Sequence, residues 1–289
     1  MNVAALIGSP VAHSLSPAIH QAAFDAAGLD WHYVSFDVVA GQADAALDAM
    51  RTLGIAGLSV TTPHKEQIAD CVDGLASAAA QLRSVNTVVV EDGGRLVGHS
   101  TDGHGFVKSL EADGIDPSGI HVAVIGAGAA ARSIVSALDR AGAGSIVVVN
   151  RTRSRAEEVA RLAPITGRVA ADDPTDEVAK ADLIVNATSV GFGVPSDDPA
   201  ALPIDPSVIH CEHLVADLVY HPLDTALLRA ARDAGARTFD GLGMLVHQAA
   251  LQQHLWLGHM PDVRVMRAAA ETELARRASE SASTSTSTI

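Results

Sequence analysis

Two stretches of the 289-residue chain hold groups that could manage a proton. In GLSVTTPHKEQIAD (57–70) a strand ends, Thr61 and Thr62 follow, and Pro63 opens a helix with Lys65 near its third position. A lysine there sits at the positive end of the helix dipole, where a glutamate would complete a capping box. Such a break of the local rule is where function is expected, although a lysine reaching solvent is the plain alternative. An ammonium at that place could stabilise charge growing on a carbonyl oxygen and then donate a proton. In GHSTDGHGFVKSLEADG (98–114) Thr101 or Asp102 falls between a strand and a helix. Helix capping alone accounts for Asp102.

Further polar groups stand at other strand ends. LIGSPVAHSLSPAIHQA (6–22) runs from a buried strand into an amphipathic helix, with Ser9, Ser14 and Ser16 between. Ser16 before Pro17 fits an N-cap, whereas Ser14 has no such duty, so both hydroxyls are candidates for holding an anion. SVNTVVV puts Asn86 at a strand start, and NATSVGFG and ADLVYHPLDT put Asn186, Thr188 and Tyr220 just past strand ends. Ligands of open α/β sheets bind at that edge.

HVAVIGAGAAARSIVSALDRAG (121–142) is a strand, Gly126-x-Gly128-x-x-Ala131 and a helix, a context that strengthens a glycine pattern. Gly126 permits the tight turn, Gly128 lets a pyrophosphate approach, and Ala131 lets helix pack on strand. The next strand ends in Asn150, Arg151, Thr152, Arg153, Ser154 and Arg155, with no carboxylate for a ribose 2′-hydroxyl. Arginines and hydroxyls there suit a 2′-phosphate, and three guanidiniums in a first helical turn oppose the dipole unless an anion is bound. NADP is favoured over NAD, with Arg153 the one most easily explained as a surface residue.

The elements that must position these groups follow from patterning. Strand-length apolar runs (VAALIG, HYVSFDV, GLSVT, NTVVVE, RLVGHS, HVAVIG, SIVVVN, DLIVNAT, HLVADLV) alternate with helical periodicity, the pattern of parallel sheets covered by helices. With 48% hydrophobic but only 3% aromatic residues, the core is aliphatic. EADGIDPSGI (111–120) reads as a domain boundary, and SESASTSTSTI at the end as disordered. A net charge of −14 argues against nucleic acid or an anionic membrane as partner. No signal peptide or membrane-length apolar run is visible, and two lone cysteines, Cys71 and Cys211, fit a reducing cytoplasm. His210, Cys211 and His213 suggest a metal, but the second ligand pair is missing, so no metal is expected.

Together SPVAHSLSP, VTTPHK, SVNT, STDGHGF, GAGAAAR, NRT, NATSVG, DLVYHPLDTALLRAARDAG and DGLGMLVHQAALQ make the chain resemble the shikimate dehydrogenase family over everything but the tail. The resemblance implies an α/β fold: an N-terminal α/β substrate domain (1–105 with 242–277), a Rossmann-type NADP domain (106–241) and C-terminal helices returning to the first; the tail outside it (278–289) is the segment whose composition reads as disordered. It implies reversible reduction of the 3-ketone of 3-dehydroshikimate by NADPH, in a monomer or homodimer. Lys65 and Asp102 would form the catalytic pair, and Ser14, Ser16, Thr61, Asn86, Thr101, Tyr220 and Gln248 would contact substrate. Gly126, Ala127, Gly128, Ala129, Ala130, Asn150, Arg151, Thr152, Arg155, Asn186 and Thr188 would hold the cofactor, with Leu218 and Gly241 beside its nicotinamide half. Two departures stand out: the family usually has Asn where this chain has Ser100, and a glycine where it has Ala129. The competing readings are a quinate or mixed quinate/shikimate dehydrogenase and a non-catalytic NADP-binding sensor. An intact Lys65 and Asp102 count against the sensor.

Overall fold

Alternating apolar strands and amphipathic helices build two α/β units in a computed structural model that describes residues 1–194 and 197–286. One unit comprises Met1–Thr101 with Gln248–Ile289, the other Asp102–His247. The Gly- and Asp-rich stretch 111–120, expected at a domain boundary, lies inside the second unit, where it ends a helix at Ala112 and continues as a loop. The division falls at Thr101/Asp102 because the helix that begins at Asp102 packs on its own unit. There a Cβ on Gly103 would meet the Ser133 carbonyl oxygen at 2.1 Å.

The first unit contains β1 (Asn2–Gly8), α1 (Ser16–Ala26), β2 (Trp31–Asp37), α2 (Ala43–Leu53), β3 (Gly57–Val60), α3 (Lys65–Cys71), β4 (Gly74–Leu75), α4 (Ser77–Leu82), β5 (Thr87–Glu91) and β6 (Arg95–His99). Its sheet runs β2-β1-β3-β5-β6-β4. β1 pairs in parallel with β2 and β3, but β5 is antiparallel to both β3 and β6. Gly93 and Gly94, with φ of 78° and 79°, close the turn that reverses the chain from β5 into β6. Aliphatic side chains such as Ile7, Leu47, Leu58, Ile68 and Val88 fill one face.

The second unit contains α5 (Asp102–Ala112), β7 (His121–Ile125), α6 (Ala129–Arg140), β8 (Ser145–Val149), α7 (Arg153–Ala160), β9 (Gly167–Val169), α8 (Thr175–Ala179), β10 (Leu183–Asn186), β11 (Leu214–Asp217), α9 (Ala226–Asp233) and β12 (Arg237–Phe239). All its strands are parallel, in the order β12-β11-β10-β7-β8-β9. The order reverses direction between β7 and β10, the kind of switch point where open α/β sheets bind ligands.

α10 (Gly241–Leu257) crosses the division, and α11 (Val263–Thr286) packs along α1. α11 corrects an expectation: the helix continues through 278–286, part of the tail read as disordered, while 287–289 lie outside the described residues. Arg276 and Glu280, four residues apart, form an ion pair that supports this extension.

α10 closes the first unit through buried polar contacts. His20 stacks on Tyr33 with centroids 4.3 Å apart, donates from Nε2 to Gln252 Oε1 (3.1 Å), and accepts at Nδ1 from Gln253 Nε2 (3.1 Å). Burial drives its pKa from the usual 6.5 down to about 3, against the opposing bond to Gln252. A histidine depressed in the fold contributes stability that is present above about 6.5 and lost as pH falls from there toward 3. At pH 5 the loss is about 2 kcal/mol. Urea midpoints at pH 7.5 and pH 5 should therefore fall further apart in the parent than in His20→Asn; equal pH dependence would show that His20 does not supply the linkage.

Candidate functional site

In the first unit the carboxyl ends of β1 and β3 are sewn together. Thr61 N–H donates to the Ile7 carbonyl (2.9 Å) and Ser9 N–H to the Thr62 carbonyl (2.9 Å). A Cβ on Gly8 would lie 2.3 Å from Thr61 Cγ2, so glycine is what lets the two loops meet. His64 N–H closes a turn onto the Thr61 carbonyl, which delays α3 until Lys65. Lys65 is thus the first helical residue rather than the third, with Pro63 in the turn before it. It is half-buried.

α1 also begins one residue earlier than expected. Leu15 occupies the N-cap with no side-chain cap, and Ser16 is the first helical residue. Ser14 takes the local duty instead, its Oγ accepting from Ser16 N–H at 3.2 Å. That bond uses a lone pair of Ser14 and leaves its hydroxyl proton for donation.

Asn86, read from sequence as an ordinary turn residue or substrate contact, is the hub of a buried network. Its Oδ1 accepts from Thr101 N–H (2.8 Å) and Thr87 Oγ1 (2.8 Å). Its Nδ2 donates to Thr101 Oγ1 (2.8 Å) and Gln248 Oε1 (3.3 Å), and Thr101 Oγ1 donates to the Gln248 carbonyl (3.1 Å). Three expected substrate contacts, Asn86, Thr101 and Gln248, are therefore one rigid group. Gln252 Nε2 adds a bond to the Asn86 carbonyl (3.0 Å), and Val85 N–H donates to the Lys65 carbonyl (2.9 Å). Consecutive residues 85 and 86 thereby hold both Lys65 and Thr101, the residue bonded to Asp102.

The second unit offers an anion cradle at its switch point. Gly126 has φ of +114°, and a Cβ there would meet the Ala187 oxygen and Thr188 Cγ2 at 2.9 Å, so it is required by both backbone and space. Gly128 is different: it has extended backbone, and a Cβ would touch nothing within 4 Å. The protein itself does not need glycine there; the open space lies over the start of α6, which has no side-chain cap. Ala127, Ala129 and Ala130 flank it, while Ala131 is fully buried against the sheet core. This arrangement fits a dinucleotide pyrophosphate, whose oxygens would accept from the first N–H groups of α6.

Beyond β8, Asn150 Nδ2 donates to the Thr152 carbonyl (3.0 Å) and Thr152 is the N-cap of α7. Two arginines, not three, then fall in the first turn, because Arg151 precedes the cap. Arg153 pairs with Glu157 (3.4 Å) and lies 3.9 Å from Asp172. Neither Arg151 nor Arg155 forms an ion pair among the described residues, and both are exposed. A cavity of about 310 Å³ beside Arg151 is lined by Asn150, Arg151, Arg153, Ala171 and Asp172.

Asn186 and Thr188 shape the loop after β10. Thr188 N–H and Oγ1 donate to Asn186 Oδ1 (3.1 and 2.7 Å), and Asn186 Nδ2 donates to Asp217 Oδ1 (2.9 Å). Asp217, which the sequence did not single out, is buried and also accepts from Val219 N–H and Thr225 Oγ1. Burial raises its pKa, and these bonds offset the rise in part. Its only sequence signal is an Asp closing a strand, immediately before a loop it must hold. Leu218 and Gly241 come together: a Cβ on Gly241 would lie 2.4 Å from the Leu218 oxygen. Tyr220 packs edge-on against Phe192 at 5.7 Å. The His210 and His213 rings stack at 3.6 Å, and both Nε2 atoms bond the Ala179 carbonyl, a structural use of the pair.

Matches to known proteins cover most of the chain. Residues 6–88 match the model described as "Shikimate dehydrogenase substrate binding domain". Residues 111–192 match "Shikimate / quinate 5-dehydrogenase", and 241–271 "Shikimate 5'-dehydrogenase C-terminal domain". A shikimate dehydrogenase (NADP+) of Moorella thermoacetica is 43% identical over 269 residues, spanning 91% of this chain and 90% of its own. The crystal structure of shikimate 5-dehydrogenase from Thermus thermophilus in complex with NADP(H) and shikimate aligns with a TM-score of 0.85 and 37% identity. That alignment covers 94% of this chain and 99% of that one. A ligand-free 5-ketofructose reductase of Gluconobacter sp. strain CHM43 gives a TM-score of 0.85 and 35% identity, with coverages of 94% and 98%.

Proposed function

Because the chain belongs to the shikimate dehydrogenase family, we propose that it catalyses the reversible reduction of 3-dehydroshikimate to shikimate with NADPH. One observation carries the assignment of roles: residues 85 and 86 hold the Lys65 backbone and Thr101, the neighbour of Asp102, at fixed places. The Lys65 ammonium stabilises the charge that develops on the ketone oxygen and supplies its proton. The Asp102 carboxylate orients that ammonium and accepts from a substrate hydroxyl. Ser14 and Ser16 take the carboxylate, and Thr61, Asn86, Thr101, Tyr220 and Gln248 complete the substrate pocket. NADPH, when bound, supplies the hydride. Gly126 to Ala130 would hold its pyrophosphate, and Arg151, Thr152 and Arg155 with Asn150 its 2′-phosphate. Asn186, Thr188, Leu218 and Gly241 would line the remainder. The residues present fit that cofactor, since Gly128 leaves open a space that protein packing does not use.

The enzyme acts on a free small acid in a reducing cytoplasm, as a monomer or homodimer; the unbridged Cys71 and Cys211 support the compartment. Steady-state rates with shikimate, quinate and the product of 5-ketofructose reduction, each with NADP and NAD, test the reading. Shikimate with NADP should give the highest kcat/KM, by about a hundredfold over the analogues. Preference for either analogue would overturn the substrate assignment. Cofactor binding with no turnover on any of them would make the chain a sensor.

A further inference from the structure

The loop between β1 and α1 carries Ser14, and its backbone is gripped from far along the chain. Ser14 N–H donates to the Val11 carbonyl (2.9 Å), and Ser14 Oγ receives Ser16 N–H. A further hold is the Arg277 guanidinium on α11. Its Nη1 donates to the His13 carbonyl (2.6 Å) and its Nη2 to the Ser14 carbonyl (3.0 Å). Its Nε donates to Glu273 Oε1 (2.7 Å), one turn back on the same helix. Glu273 also receives Nε and Nη2 of Arg276, and these bonds hold its pKa down to about 2. The guanidinium is mostly shielded, with 26% of its side chain exposed, and its planar fork bridges two consecutive peptides as a lysine could not.

We propose that Arg277 is a positioning residue for the substrate carboxylate: it clamps the His13–Ser14 backbone so that the Ser14 hydroxyl stands ready to donate. The proposal rests on the role given to Ser14 above. Arg277 itself touches no substrate. Without the clamp, the loop must be ordered by the incoming acid, and binding weakens by the entropy of that ordering. Such a loss is shared by ground and transition states, so it falls on KM and not on kcat.

The test compares the full-length parent with Arg277→Ala, Arg277→Lys, Arg276→Ala, Ser14→Ala and the Ser14/Arg277 double alanine variant. Readouts are steady-state kinetics and shikimate binding by titration calorimetry. Arg277→Ala should raise both KM and Kd for shikimate about tenfold, the loss expected of charge-assisted hydrogen bonds, with kcat within about twofold. Added guanidinium should restore part of the affinity. Arg277→Lys keeps a charge beside Glu273, guarding against simple unfolding, and should still lose affinity because the fork is gone. Arg276→Ala removes a partner of the same Glu273 without touching the loop and should bind shikimate as the parent does. The double variant should bind no worse than Ser14→Ala, because clamp and hydroxyl act in series. Parental affinity in Arg277→Ala, with weak binding in Ser14→Ala, overturns the clamp and leaves the Ser14 role standing. Parental affinity in Ser14→Ala overturns the Ser14 role and the clamp with it. Equal losses in Arg276→Ala and Arg277→Ala would trace the effect to helix charge and also overturn the proposal.

Discussion

Replacing Lys65 with alanine is expected to lower kcat by about 10²- to 10⁴-fold, the range typical of general acid–base groups. The backbone should survive the change. Lys65 starts α3, where alanine is a good helix former, and the bond from Val85 uses its carbonyl and not its side chain. NADPH affinity, followed by the fluorescence of the reduced nicotinamide, should stay near parental, which separates lost chemistry from lost structure. Lys65→Arg keeps the charge but binds its proton too tightly to give it up, so it should recover little of the rate. A Lys65→Ala enzyme with near-parental kcat would remove the residue from the proton step.

The second large effect is on cofactor choice. Replacing Arg151 and Arg155 together with alanine should raise KM for NADPH far more than for NADH. Each lost charge-assisted bond is worth about 1.5 to 3 kcal/mol, or at least about tenfold apiece. Arg153→Ala is the internal control. Its guanidinium is engaged with Glu157 and faces Asp172, so its loss should leave the preference for NADPH unchanged. Equal changes in KM for both cofactors would mean that neither Arg151 nor Arg155 reads the 2′-phosphate.

The cofactor unit was the more legible half of the sequence because its signals are local. Gly126, Gly128 and Ala131 sit within one strand-turn-helix; Gly126 answers to the turn's backbone and close packing, whereas Gly128 leaves open space at the start of α6. The substrate unit was harder because its decisive contacts are remote in sequence. Asn86 resembles any turn residue until Gln248, 162 positions away, arrives at its amide. Arg277 looks like part of a charged helix face until it reaches His13, 264 positions away. Local errors had local causes. The turn closed by His64 N–H displaces the start of α3, and Ser14 supplies the bond expected of Ser16. Strand direction was equally hidden: TVVVE reads the same in a parallel or an antiparallel ladder, and the glycine pair after it marks the reversal into β6 but not the earlier one between β3 and β5. β4, β9 and β12, of two or three residues each, are too short to show any period.

The split of the first unit between residues 1–101 and 248–289 also orders events during synthesis. Residues 102–247 are contiguous, so once they have emerged from the ribosome their parallel sheet has every strand it needs and can form as translation continues. The earlier-made segment must wait. Until Gln252, Gln253 and Trp256 are added, His20 lacks the partners of both ring nitrogens, and the indole that packs over Gly57 and donates to the Val88 carbonyl is missing. The surface over β3 and β5 and the nascent α1 face therefore stay incomplete for the time taken to translate about 150 further residues, roughly 7 to 30 seconds at ordinary elongation rates. In that interval the half made first is the half most in need of a chaperone.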